Sequence, residues 1–210
     1  MQIAVITGDI VHSRKASGPE IWLGRLKSVL NEISESENQW EIFRGDSFQV
    51  VLKDSSKSLY KALQLRSGLL ALKPFHEQKL DLRIAIGVGE VSFEGKSISE
   101  STGSAFLRSG KQLDMLKDTR KRMAFESGND EVNKELEVSL LLADSLIQDW
   151  SHGAAEIAWM HLTKPSTQTE YANRLKISQP AVHKRILSAH LEELEALIER
   201  YAYLSSQFSP

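Results

Sequence analysis

The sequence predicts an α+β chain in two parts: a sheet-and-helix unit over residues 1–150 and an all-helical unit over residues 151–210. Three observations carry this. Short β-prone apolar runs and amphipathic runs follow one another in the order β-α-β-β-α-β, the split βαβ, ferredoxin-like arrangement. Every element after residue 150 reads as helix. The composition, 41% hydrophobic and 26% charged over 210 residues, is that of ordinary globular protein with room for one large or two small domains.

The bulk numbers exclude several classes. No cysteine is present, so a disulfide framework, Cys-ligated zinc and thiol catalysis are ruled out. The formal net charge is −2, so any nucleic-acid binding must come from a local patch. No apolar run approaches the length of a membrane span, and the start of the sequence lacks a signal-peptide core. The expectation is a cytoplasmic protein with no membrane partner.

In chain order, Ile3, Ala4, Val5 and Ile6 form a continuous apolar run, like a strand buried on both faces. It ends at Gly8-Asp9, and Ile10-Val11 carry the apolar character past the acid. Residues 12–18 are polar and loop-like. Residues 19–33 read as an amphipathic helix, with Pro19 in its first turn and Ile21, Trp22, Leu26, Val29, Leu30 and Ile33 at helical spacing. Residues 40–52 form a hairpin turning at Gly45-Asp46. Ser55 and Ser56 cap a second helix, which Pro74 ends. Residues 80–91 are a strand in which Leu82, Ile84, Ile86 and Val88 alternate with Arg83, Ala85, Gly87 and Gly89, giving one apolar and one small face. Residues 93–102 are a Ser/Gly-rich loop suited to border a ligand. Residues 104–116 are helical, 121–126 an edge strand, and 132–150 a helix that holds the boundary between the two parts.

Beyond it, residues 155–162 form a short helix closed at Lys164-Pro165. Thr167-Gln168-Thr169-Glu170 is a capping box. Ser178 caps a further helix with Pro180 in its first turn. From Leu187 the apolar positions Leu191, Leu194, Ile198 and Tyr201 step 4-3-4-3, which is heptad spacing. That run fits a dimer-forming coiled coil, and equally one helix packed back on its own domain.

Asp9 and Asp46 each follow a glycine beside apolar strand residues. The split βαβ order sets the first strand beside the hairpin, so the two can converge. A carboxylate near a strand end is costly to bury unless paired or metal-bound. Two converging carboxylates suit Mg²⁺ and substrate phosphates, and Gly8 and Gly45 leave room for phosphates to approach the backbone. The same residues also fit two solvated turn aspartates. Arg14, Arg44 and Arg108 are cations that can meet phosphates, or plain surface arginines. The six histidines show no metal spacing, and Trp22, Trp40, Trp150 and Trp159 sit in core-like contexts.

Gly8-Asp9-Ile10-Val11-His12-Ser13-Arg14 and Arg44-Gly45-Asp46-Ser47-Phe48 resemble the SatD family, bacterial proteins described as transcriptional regulators. With the 82–91 strand, the same stretches resemble class III nucleotide cyclases and, more broadly, GGDEF and CRISPR-polymerase palm domains, over about residues 1–126. The resemblance implies a cyclase/palm-like fold in which Asp9 and Asp46 bind metal, Mg²⁺ first, with the backbone carbonyl of Ile10 as a further ligand. Two departures stand out. Ile42 occupies the position of a base-reading lysine. Leu107 and Lys111 occupy the positions of an asparagine and an arginine that stabilise the cyclase transition state. Lys111 can contact a phosphate but is no bidentate arginine.

Residues 168–186 resemble a helix-turn-helix, with Ala172 in the first helix, Leu175-Lys176-Ile177-Ser178 across the turn, and Val182 and Ile186 holding the second helix. Lys176 replaces the usual turn glycine. The resemblance implies major-groove contacts from Ser178, Gln179, Ala181, His183, Lys184 and Arg185. The alternative is a helical bundle that binds protein or only packs.

The expected function is a DNA-binding transcriptional regulator, dimeric, whose first part binds a nucleotide with Mg²⁺. The alternatives are an enzyme making a cyclic or oligomeric nucleotide signal, and an inert cyclase-like fold used for dimerisation.

Overall fold

The computed structural model describes residues 2–11, 13, 19–34, 36–43, 45–72 and 79–208. Pro74, expected to end the second helix, lies outside them.

Among the described residues five strands form one sheet in the order β2-β3-β1-β4-β5. The central strand, β1 (Gln2–Val11), is buried along almost its whole length because both its edges and both its faces are covered. It runs antiparallel to β3 (Ser47–Leu52) on one side and to β4 (Asp81–Glu90) on the other. β2 (Trp40–Phe43) pairs with β3 as the hairpin, and β5 (Met123–Glu126) lies parallel to β4 at the far edge. The apolar run therefore does not stop at Gly8. The strand continues through Asp9 to Val11, which carries the acid into the ladder itself.

The sheet has two unequal faces. Ala4, Ile6, Phe48, Val50, Leu82, Ile84 and Ile86 pack against Trp22, Leu26, Val29, Leu30 and Ile33 of α1 (Pro19–Ile33) and against Leu59, Leu63 and Leu69 of α2 (Ser58–Leu70). On the other face α3 (Ser104–Lys117) lies over Ile3, Val5 and Ala85. The small residues of β4 are small because α3 sits on them. A Cβ at Gly87 would stand 2.3 Å from the Ala105 carbonyl oxygen.

α4 (Asp130–Gln148) starts where the Asn129 side chain accepts from the Glu131 and Val132 amides. It buries Leu136, Leu140, Ala143 and Ile147 beside the sheet. α5 (His152–Thr163), capped by Ser151, lies against α2. The Tyr60 hydroxyl and the Gln64 amide both donate to the Leu162 carbonyl near its end. α6 (Gln168–Leu175) and α7 (Gln179–Ser188) follow, then α8 (Leu191–Leu204).

The heptad run divides differently from the sequence pattern. His190 adopts a left-handed conformation (φ 51°) and turns the chain between α7 and α8. Leu187 therefore belongs to α7 and is 60% exposed, whereas Leu191, Leu194 and Tyr201 are buried in the chain's own core. The Tyr201 hydroxyl lies 2.6 Å from the Ser58 hydroxyl, and its ring packs on Phe125 and Phe208. These positions pack inward and are not available to a second helix.

One buried charge cluster ties the layers together. Arg66 of α2 is fully buried and makes two bonds of 2.9 Å to Asp81 of β4 and one of 2.7 Å to Asp144 of α4. Asp144 also accepts from the Arg122 amide before β5. Among the described residues no helix is long and apolar enough to cross a membrane.

Candidate functional site

The ladder brings the two motif acids to the same end of the sheet. Asp9 pairs in register with Ser47 on β3 and with Arg83 on β4. Asp46 immediately precedes Ser47, and its carbonyl accepts from the Ile10 amide at 3.1 Å. Gly45 makes the turn with φ 87°, a conformation that costs a side-chain-bearing residue roughly 1–2 kcal/mol.

Each carboxylate already has company. Asp9 is 8% exposed, and its Oδ1 accepts from Arg83 Nη1 at 3.0 Å. Among the described residues Arg83 Nε is buried without a partner. Asp46 accepts from the Ser13 hydroxyl and, at 3.5 Å, from Ser47. Beside them on the α3 face runs a polar row: Gln49 donates to the Thr7 hydroxyl at 3.3 Å, and Thr7 donates to Ser109 of α3 at 2.9 Å.

Arg83 and Ser13 are the residues that sequence reasoning left unused. Arg83 was visible as a charged residue interrupting the small positions Ala85, Gly87 and Gly89 of β4, but its meaning depends on the register that sets it opposite Asp9.

Two carboxylates on adjacent strand ends are oxygen donors of the kind Mg²⁺ takes while completing its shell from water or phosphate. One of the four oxygens is committed to Arg83. Among the described residues no group of three or more His, Asp or Glu side chains gathers to hold a metal. Two carboxylates suit a cation that arrives with its own water or phosphate oxygens.

The remaining nucleotide-site candidates scatter. Gly8 leaves space that the Phe48 ring fills: a Cβ there would be 2.5 Å from Phe48 Cζ. Arg108 Nη1 donates to the Val88 carbonyl at 2.6 Å. Val88 pairs with Ala4, so Arg108 is anchored roughly 17 Å along β1 from Asp9, at about 3.4 Å per residue. Lys111 lies 3.9 Å from Glu126, and Leu107 is 74% exposed. Arg14 and Arg44 lie outside the described residues.

The second candidate site is α7. Thr167 and Glu170 close the capping box at the start of α6. Lys176, left-handed at φ 54°, makes the turn, and its amide bonds to the Ala172 carbonyl. The Ser178 side chain then caps α7 by accepting from the Ala181 amide. Tyr171 and Val182 are buried and pin the two helices inward. Ser178, Gln179, His183 and Lys184 are exposed on the outer side, while Ala181 is half-buried. Arg185 is turned away from them: its Nη1 meets Glu156 of α5 at 2.6 Å, and Gly153 packs against its guanidinium.

A protein-family model described as the SatD family matches residues 2–194. Among solved structures, this chain is similar to one titled "Structure of a bacterial light-regulated adenylyl cyclase", at 17% identity and a TM-score of 0.43, over 60% of this chain and 75% of that one. No curated protein matches.

Proposed function

The chain belongs to the SatD family, and from that premise we propose that it is a bacterial DNA-binding transcriptional regulator. In this reading residues 1–150 form a ferredoxin-like, cyclase-like domain and residues 151–210 a helix-turn-helix domain, acting in the cytoplasm. The observation that carries it is the open side of α7. Gln179, His183 and Lys184 are exposed there, on a helix whose start is capped and whose inner side is pinned by Val182. Gln pairs with adenine and Lys with guanine or phosphate, so this side has the chemistry of a major-groove reader.

The second element of the proposal is a nucleotide whose phosphates, with Mg²⁺, meet Asp9 and Asp46 at the strand ends. Support for binding rather than synthesis comes from Leu107, which cannot hydrogen-bond, and Lys111, which lies by Glu126. Nucleotide binding would bias the placement or pairing of the α6–α7 units on DNA.

DNA fragments selected from a random pool, then measured by fluorescence anisotropy across a salt series, test the first element. Sequence-selective binding that Gln179→Ala weakens supports it, and no selection above non-specific binding refutes it. Equal DNA affinity with and without each of the four nucleoside triphosphates and Mg²⁺ refutes the coupling. Steady turnover of a triphosphate that Asp46→Ala abolishes makes the protein an enzyme instead.

A further inference from the structure

We propose that the outer side of α4 is a self-association surface, on which a second copy of this chain packs with its α4 antiparallel. Val138, Leu141 and Leu142 are 60%, 48% and 64% exposed, at helical spacing on one side of α4, and Met115 of α3 is 57% exposed. Met115 and Leu141 line a common groove of about 410 Å³ between α3 and α4. Apolar side chains gathered this way mark contact surfaces, whereas scattered ones do not.

Three features specify a second copy as the occupant. A two-fold contact is made by one patch meeting itself, so that patch must supply both a ridge and a recess. Here Val138 and Leu142 are the ridge and the groove beside Leu141 is the recess. Charge also matches under this symmetry. A two-fold axis between Leu141 and Leu142 sets Leu141 against the second copy's Leu142, and Lys134 against its Asp149. Both Lys134 and Asp149 are exposed, one on either side of the stripe; Lys134 sits 2.8 Å from Glu131 of its own chain and exchanges that neighbour for Asp149 when the copies pair. Antiparallel helices also oppose their dipoles favourably. Finally, the other apolar run with dimer spacing is spent: Leu191, Leu194 and Tyr201 are buried within the chain.

The surface is independent of what α7 or the strand-end acids bind. Its test is sedimentation velocity over a micromolar concentration series. Wild type is expected to form a dimer. Leu142→Glu, which places two carboxylates near the axis, should raise the dissociation constant by ~100-fold. Leu187→Glu changes an equally exposed leucine on α7 and should leave the dimer intact. Lys134→Asp and Asp149→Lys should each weaken it by roughly tenfold, since symmetry repeats the pair, and the double variant should restore it. Circular dichroism of each variant separates lost pairing from lost folding. A monomeric wild type overturns the proposal and leaves the patch to a different protein. A folded Leu142→Glu that still dimerises, or a double swap that fails to restore pairing, overturns it as well.

Discussion

Asp9 and Arg83 face each other across β1 and β4, paired in register and joined by a 3.0 Å bond between Oδ1 and Nη1. Both side chains are mostly buried, at 11% and 20% exposure. The guanidinium fixes one oxygen of the acid, Oδ1. Removing the cation leaves a buried carboxylate uncompensated. Arg83→Met should therefore cost about 2–3 kcal/mol in urea unfolding. Asp9→Asn, which keeps a hydrogen-bonding oxygen, should cost less. Equal losses would mean that the pair contributes packing rather than charge.

Arg66 is the larger liability. Three bonds to two acids are lost in Arg66→Met, and Asp81 and Asp144 lose the cation between them. The expected loss is about 3–5 kcal/mol, read as a fall in the urea midpoint. Adding Asp81→Asn and Asp144→Asn should recover part of it, because the acids left without that cation are the main cost.

Gly87→Ala drives a methyl group into backbone, against the Ala105 carbonyl and the Ser109 amide. Neither can swing aside, so α3 must lift from the sheet. A loss of about 3 kcal/mol is expected. Gly110→Ala on the same helix meets open space and should be neutral or slightly stabilising, which a paired thermal melt would show.

Glu170 gives a pH signature. The Thr167 amide, then its hydroxyl, hold this carboxyl below its ordinary value of 4.5. A depressed acid contributes stability above its unfolded pKa and loses it as pH falls through the folded one. The capping box should therefore support α6 at neutral pH and release it below about pH 4.5. Wild type should melt above Glu170→Gln at pH 7, with the difference shrinking toward pH 3. A constant difference would place the effect elsewhere.

Lys184 and Arg185 are adjacent and should behave differently. If α7 meets DNA as proposed, Lys184→Ala should weaken that binding and lower its salt slope by about 1, as one lost phosphate contact would. Arg185→Ala breaks the contact with Glu156 and should lower thermal stability first. The reverse pattern would mean that Arg185 leaves Glu156 when DNA binds.

Local chemistry was legible, and side-chain partners between distant residues were not. The capping box at Thr167, the Ser178 cap and the hairpin turn at Gly45 are short-range features, and each lies where the sequence pattern sets it. The alternation of β4 also reads correctly, since a small face implies a helix close above it. The partner of Asp9 was hidden because Arg83 acquires its role only through a register between distant residues. Gly8 misled for the same reason: the ring that fills its space comes from Phe48 on another strand. Tyr201 fits a heptad by spacing, yet spacing does not tell whether the other side of the seam is a second chain or Phe125. Arg185 looked equivalent to Lys184 until Glu156 was located on α5.

The central position of β1 also bears on the order in which the chain is made. Ala4 pairs with both Leu52 and Val88, so β1, made before either partner, is completed only after residues 81–90 have followed it. Until then β1 offers a bare edge and two apolar faces, the kind of segment that pairs with wrong partners. Substitutions that slow completion of β4 should therefore lower the soluble yield in cells more than they lower the stability of the finished protein.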